Sequence, residues 1–387
     1  MNFIFLSPHF PENYYLFCRA LKKAGFNTLT IGEPQFGELR PELAQSTDWY
    51  YRVPNMNDYN SLRDAVRFFT DKFGHIDGID SLNEYWLNYE AALRTEFNID
   101  GVKNDAINNI RRKSCMKRIY RQAGIACARG RLVYSFDDIK SLAKETGYPI
   151  VVKPDDGMGS DFTYTLRSDA DADCFFKEKK PQGHDIIAEE YINGDIVTFD
   201  GLTDKNGNIV FCTSHNYDQG IMEAVLAKNH LYYFSQREIP ADLEETGRKA
   251  VKAFDVRGRF FHMEFFRMKK DGKICGLEVN IRPPGGFSMD MFNYACDIDM
   301  YQAWADVQAH GTINLPYSRK YHTCFISRRD NAHYKRTNEQ AMKELGNMLV
   351  YYKRLPPIIA RGMGDDGYLV RSETMDGIMR AVHIIQD

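Results

Sequence analysis

A chain of 387 residues is long enough to divide into two or three domains with ample cores, which excludes a bare tail or peptide. Its 50 basic and 53 acidic residues leave a formal charge of −3, so nothing in the overall charge draws it to nucleic acid or to an anionic membrane. Hydrophobic residues at 43% and charged residues at 27% are those of a globular protein and exclude disorder.

The first apolar run, Asn2–Leu6, lacks a basic leader and is too short for a signal peptide, and no apolar stretch of about 18 residues follows. The expected location is the cytoplasm. Eight scattered cysteines form no Cys-x-x-Cys pair and no Cys/His cluster, which predicts reduced, mostly buried thiols. A turn at Ser7-Pro8 and a helical pattern through Leu16, Cys18, Leu21 and Gly25 lead to a second strand at 27–31. An apolar stretch near Trp49–Val53, an amphipathic segment over Leu62–Phe73 and a run at Ile76–Leu82 continue the alternation of a parallel sheet covered by helices. Residues 1–101 therefore read as Rossmann-like α/β. The first strand-to-helix turn has no Gly-x-Gly-x-x-Gly, which argues against a dinucleotide there.

The spacing of Ile107, Ile110, Met116, Ile119 and Tyr120 predicts a helix over Asn104–Ala123 ended by Gly124. Lys113 falls in its middle and reads, on the residues alone, as part of a solvated face. Strands are predicted at 130–134, 149–153, 162–166, 185–191 and 195–202, with a turn at Lys205-Asn206-Gly207-Asn208, giving mixed α/β with antiparallel pairs. Residues 260–268 and 274–280 flank the hairpin turn Lys270-Asp271-Gly272, and 292–310 returns to helix. The tail from Tyr321 to Asp387 reads as strand, helix, strand and a final short helix. No repeat or low-complexity tract interrupts this order.

The hairpin is the most informative segment. Side chains alternate along a strand, so Glu278, Asn280 and Arg282 project from one side. Glu264 is expected beside Glu278 across the hairpin, and two close carboxylates repel unless a cation lies between them. Oxygen ligands suit Mg²⁺, Asn280 offers a neutral oxygen, and Arg282 supplies a planar fork for a phosphoryl or carboxylate group. The plain alternative is a Glu264–Arg282 salt bridge in a half-buried strand. Lys153, at the end of Pro149–Val152, is either a phosphate contact or a solvated strand end. The glycines of Asp155–Asp161 admit a phosphate to the backbone, although as a lone motif the segment reads more readily as a hairpin loop. Ile186–Ile192 presents backbone to an adenine edge or serves as a hinge. The aromatic-rich stretch 215–234 shapes an acceptor pocket or packs as a surface loop.

Taken in order, these residues resemble the ATP-grasp superfamily, which includes biotin carboxylase, the carbamoyl-phosphate synthetase large subunit, D-alanine ligases and L-amino acid ligases. The likeness spans about residues 1–310 and is strongest in Glu264 and Glu278-x-Asn280-x-Arg282. It implies a Rossmann-like domain over 1–101, an ATP-grasp domain over 102–315 with a lid at about 128–190, and a C-terminal α/β segment, 316–387, packed on it. It also implies that Lys113 and Lys153 contact ATP phosphates, that the backbone of Glu189, Glu190, Tyr191 and Ile192 holds adenine, and that Asp195 approaches the ribose. Glu264 and Glu278, assisted by Asn280, would bind Mg²⁺ or Mn²⁺, and Arg282 with Lys153 would steady the transferred phosphoryl group. Two departures stand out: the loop at 155–161 has only two glycines, and Asp195 replaces a longer Glu. There is no second ATP-grasp half, so a complete carbamoyl-phosphate synthetase is not expected.

The implied activity is that of an ADP-forming carboxylate–amine ligase, most like the L-amino acid ligases, which activates a carboxylate as an acyl phosphate. Its partners would be small-molecule carboxylates and amines, with no nucleic acid and no membrane, and a homodimer is compatible with it. Two rivals remain: a carboxylase-like enzyme that activates bicarbonate, and a nucleotide-binding regulator without turnover, for which the sparse glycine loop is the one hint.

Overall fold

Strand β1, Asn2–Leu6, is apolar at successive positions because both faces of its sheet are covered. Phe3 and Phe5 pack with Phe17 of the helix Tyr15–Lys23 and with Trp304 of the helix Met300–His310, while Ile4 and Leu6 pack with Val66 and Phe69 of the helix Tyr59–Phe73. With β2 (Asn27–Gly32), β3 (Trp49–Arg52) and β4 (Gly78–Asp80) it forms a parallel sheet of order β3-β2-β1-β4, as the alternation of apolar runs implies. The computed structural model describes residues 1–157, 162–217 and 230–387.

A second, antiparallel sheet of order β5-β8-β6-β7 is built from Gly130–Val133 (β5), Ile150–Pro154 (β6), Tyr164–Leu166 (β7) and Ile186–Glu190 (β8). It has its own core, in which Ile150, Val152, Ile186 and Ala188 meet Ile139 and Leu142 of the helix Phe136–Thr146.

The third sheet has nine strands: β9 (Gly194–Thr203), β10 (Ile209–Thr213), β11 (His215–Tyr217), β12 (Tyr232–Ser235), β13 (Phe260–Met268), β14 (Ile274–Asn280), β15 (His322–Arg328), β16 (Leu349–Arg354) and β17 (Asp366–Ser372). Phe261, Met263 and Phe265 of β13 pack under the helices Lys113–Gln122 and Ala241–Ala253. The alternate residues of β13 and its neighbours turn to the other face, which carries the polar groups. Leu202, Phe211 and Phe260 share the core of Phe5 and Trp304, so the first and third sheets are joined through one packed interior.

Three elements differ from the sequence reading. The helix expected over Asn104–Ala123 is two, Asn108–Arg111 and Lys113–Gln122, with Arg112 extended between them at φ −98° and ψ 120°. Asp155 causes the break: its carbonyl accepts from Lys113 N at 2.8 Å, and its carboxylate accepts from Ser114 N at 2.7 Å and Arg112 Nε at 2.7 Å. Lys113 therefore begins a helix and is buried, not mid-helix on a solvated face. The run 292–310 lies in two helices, Ser288–Cys296 and Met300–His310, because Asp297 is left-handed at φ 53° and Asp299 caps the second through Tyr301 N and Gln302 N. The tail holds an additional strand and helix, β16 and Pro357–Met363, and its last helix, Met375–Gln386, is 12 residues long rather than short. All eight cysteines are free thiols and five are buried. Among the described residues no helix is long and apolar enough to cross a membrane.

Candidate active site

The turn Lys270-Asp271-Gly272 closes a hairpin in which Glu264 of β13 stands directly opposite Glu278 of β14, and His262 opposite Asn280. Gly272 takes φ 71°, where a side chain would be strained. Leu277 is an extra residue at a bulge beside Glu264, and the strands keep both acids on the same face. Gly276 brings the helix above unusually near, since a Cβ there would lie 2.8 Å from the Tyr120 ring. That close approach lets Lys113 reach across the sheet edge: its Nζ is 3.2 Å from Glu278 Oε1 and donates to the Gly157 carbonyl at 2.7 Å.

A second group of charges faces the hairpin from β6 and β8. Lys153 and Lys117 both pair with Glu189, at 3.2 and 3.0 Å. Burial pushes the Glu189 carboxyl up, but Lys153 and Lys117 together outweigh it and bring it down to about 2. Lys153 is lowered by burial and raised further by Glu189 and then Glu278, ending above its ordinary value. Its ammonium therefore stays charged between carboxylates on two layers.

The two hairpin acids are not equivalent. Burial raises Glu264, yet the hydrogen bond from His262 Nε2, at 3.1 Å, and the charge of that ring hold it below the ordinary range. Burial also raises Glu278, Lys113 draws it back, and the charge of Glu264 leaves it above the ordinary range. His262 is lowered by burial and raised by Asp200 and Glu264, reaching about 9. The donor set is thus two carboxylates and the Asn280 amide. Among the described residues no group of three or more His, Cys, Asp and Glu is arranged so that it could hold a metal ion. Oxygen donors in that number fit Mg²⁺, which completes its shell from phosphate and water.

Arg282, just past β14, does not pair with Glu264. It donates to Glu84 Oε2 at 3.0 Å and to the Pro283 carbonyl at 3.0 Å. Glu84 comes from the carboxyl end of the parallel sheet, where ligands collect in open α/β folds. The turn that presents it is fixed by left-handed Leu82, whose N–H donates to Asp80 Oδ1 at 2.8 Å and whose carbonyl accepts from Tyr14 Oη at 2.9 Å.

The other predicted residues are placed less uniformly. Glu190 holds Arg129 through its backbone N–H and its guanidinium, both at 2.7 Å. Tyr191 is half exposed, and its N–H donates to the Pro149 carbonyl at 3.2 Å. Ile192 follows at the exit of β8 toward β9. Asp195 is not brought to the cluster: it pairs with Lys269 at 3.3 Å, is 69% exposed, and alternates to the face opposite Glu264. Asp155 is a helix cap, and Asp156 lies 3.3 Å from His184 Nδ1; Met158–Asp161 of the glycine loop lie outside the described residues. In the aromatic stretch, Tyr217 stacks on Tyr233 with centroids 5.4 Å apart, and Tyr233 Oη accepts from Phe287 N; 218–229 lie outside the described residues.

Sequence reasoning did not single out Lys117, Glu84, Asp200 or His262. Lys117 was within reach, because Lys113 and Lys117 are four apart and share a helix face. His262 also carried a signal, standing two before Glu264 on the same strand face. Nothing local marks Glu84 or Asp200, whose site partners Arg282 and His262 lie far away in the chain.

Residues 146–290 match the model of the ATP-grasp domain. The chain is 24% identical over 282 residues to the L-arginine-specific L-amino acid ligase of Bacillus subtilis, covering 71% of this chain and 68% of that protein. It is 25% identical over 277 residues to the carbamoyl phosphate synthase large chain of Bifidobacterium adolescentis, covering 68% of this chain but 24% of that one. The structure matches that of an L-amino acid ligase from Bacillus licheniformis with a TM-score of 0.73 at 17% identity, over 98% of this chain and 95% of the other. It matches N5-carboxyaminoimidazole synthetase from Staphylococcus aureus, complexed with ADP, with a TM-score of 0.72 at 15% identity, over 98% and 95%.

Proposed function

We propose that this chain, whose fold is the Rossmann-like sheet followed by an ATP-grasp fold, is an ATP-dependent, ADP-forming ligase that joins a carboxylate to an amine. The observation that carries the reading is the opposed pair Glu264 and Glu278, with Asn280 beside them and the ammonium groups of Lys113 and Lys153 facing them from other layers. A cation and a polyanion bound together satisfy both halves of that arrangement.

In this reading Glu264, Glu278 and Asn280 hold Mg²⁺, or Mn²⁺ in its place, which when bound neutralises charge on the phosphates. Lys113 and Lys153 bind phosphate oxygens, and Glu189 keeps Lys153 aimed with its side chain as well as lending backbone near adenine. The adenine edge falls to the carbonyls of Glu190 and Tyr191 and to Ile192, since the Tyr191 N–H is already donated. Asp195, on the far face, is left out. A substrate carboxylate oxygen attacks the terminal phosphorus as the bond to ADP breaks. Arg282, aligned by Glu84, offers its fork to the acyl phosphate, and an amine then displaces phosphate from carbon. Such transfer needs alignment and charge neutralisation more than a protein nucleophile. Amino acids and other small carboxylates are the proposed substrates, in the cytoplasm.

The route leaves an isotopic record. With ¹⁸O in the substrate carboxylate, label is expected in inorganic phosphate, with ADP as the nucleotide product. Labelled AMP, or unlabelled phosphate during genuine ligation, overturns the reading. Bicarbonate-dependent ADP release without an amine favours a carboxylase instead.

A further inference from the structure

Behind the hairpin acids runs a buried chain of polar groups that touches no phosphate-facing lysine. Asp200, in the middle of β9, stands opposite His262 of β13. Its Oδ1 is 2.6 Å from His262 Nδ1, and its Oδ2 is 2.7 Å from His215 Nδ1 and accepts from Thr198 Oγ1. The other nitrogen of His262, Nε2, is 3.1 Å from Glu264 Oε1. Asp200 and His215 are 0% exposed and His262 5%.

An ionised carboxylate only accepts hydrogen bonds. His262 lies between two of them, each within hydrogen-bond distance of a different ring nitrogen. Its place is fixed from the Asp200 side, because Asp200 is itself held by Thr198 and His215. The Glu264 side chain has three rotatable bonds and stands against a like charge on Glu278. Left alone it turns away from its neighbour. With Oε1 engaged by His262, only Oε2 remains to face Glu278.

We propose that His262, anchored by Asp200, is a positioning residue that holds Glu264 in the orientation needed to share a divalent cation with Glu278. The inference rests on the reading of Glu264 and Glu278 as the metal pair. Ligand-orienting partners of this kind are worth roughly 10- to 100-fold in metal affinity.

The test is Mn²⁺ binding in the presence of ADP, followed by the electron paramagnetic resonance of free Mn²⁺. Asparagine places its amide nitrogen near Nδ1 and glutamine places its own near Nε2. His262→Asn therefore keeps the donor to Asp200 and deletes the one to Glu264, whereas His262→Gln keeps the donor to Glu264. The expected result is a Kd for Mn²⁺ about 10- to 100-fold higher in His262→Asn and closer to wild type in His262→Gln. With ATP and substrates, saturating Mg²⁺ should restore most of kcat in His262→Asn. A His262→Asn protein that binds Mn²⁺ as tightly as wild type overturns the proposal, as does a lowered melting temperature with no change in Kd. If His262→Asn does not fold, Asp200→Asn is titrated in the same way, and an unchanged Kd there overturns it equally. Glu278→Gln separates the two levels: if it too leaves Mn²⁺ binding intact, the metal pair itself is misread. If it alone abolishes binding, only the role of His262 falls.

Discussion

Two sets of buried charges in this chain are built on different terms. Where the first sheet meets the third, Asp80, Glu90, Arg94 and Arg259 form a closed square, with Arg94–Glu90 at 2.8 Å, Arg259–Asp80 at 2.9 Å, and the crossed pairs Arg94–Asp80 and Arg259–Glu90 both at 3.5 Å. Each acid meets both guanidinium groups, so the two charges of each sign balance. At the candidate site, like charges are brought together: Glu264 opposite Glu278, and Lys117 with Lys153 on a single Glu189. A closed square is a joint between sheets. In the open set each half is partly balanced from behind, and in the proposed function a ligand carrying both signs completes it.

The comparison breaks most visibly at Glu278. Glu278→Gln keeps the strand's shape and removes one anionic donor, so turnover should fall on the order of 10³-fold while the melting temperature without nucleotide barely moves. A folded variant with near wild-type turnover removes Glu278 from the open set. The closed square should show the opposite balance. Glu90→Gln leaves Arg94 and Arg259 sharing one acid, and urea unfolding should report a loss of about 3–5 kcal/mol, with ATP affinity of the folded protein unchanged. A fall in ATP affinity without a fall in stability would erase the distinction.

Glu189 sharpens the contrast, because it belongs to the open set but behaves as a brace. Its carboxyl ordinarily titrates at 4.5 and is brought down to about 2. A depressed carboxyl gives stability that is fully present above its unfolded value and is lost as the pH falls through the folded one. Between pH 4.5 and about 2 the protein should therefore lose roughly 3 kcal/mol through this group alone. The difference in unfolding free energy between wild type and Glu189→Gln, followed across that range, should shrink by about this amount. A difference that stays constant with pH contradicts the assignment.

The parts of this site that were legible in the sequence are those with local causes. The hairpin placed Glu264 against Glu278 because a Lys-Asp-Gly turn and a period of two determine register, and the bulge at Leu277 lies where it does not change the face. The parallel sheet was legible for the same reason, since β1, covered on both sides, is apolar from Phe3 to Leu6. Lys113 was misplaced because the start of its helix is set by Asp155, a residue on another sheet, and no capping side chain stands beside it in the chain. Arg282 found Glu84 through a pairing that exists only once the first and third sheets have docked, and His262 found Asp200 only through the pairing of β13 with β9, strands far apart in the chain. The pattern of charges was therefore readable residue by residue, but not its partners.

Asp155 carries a further consequence, for anyone who would recombine this protein. It stands at the end of β6, yet it starts the helix of Lys113 through its carbonyl and its carboxylate, and it also binds Arg112. A crossover placed between that helix and the four-stranded sheet parts the helix from the residue that begins it. Arg112, Lys113 and Asp155 therefore have to come from one parent, and a chimera cut between them inherits one of the two lysines proposed to face phosphate in the wrong frame.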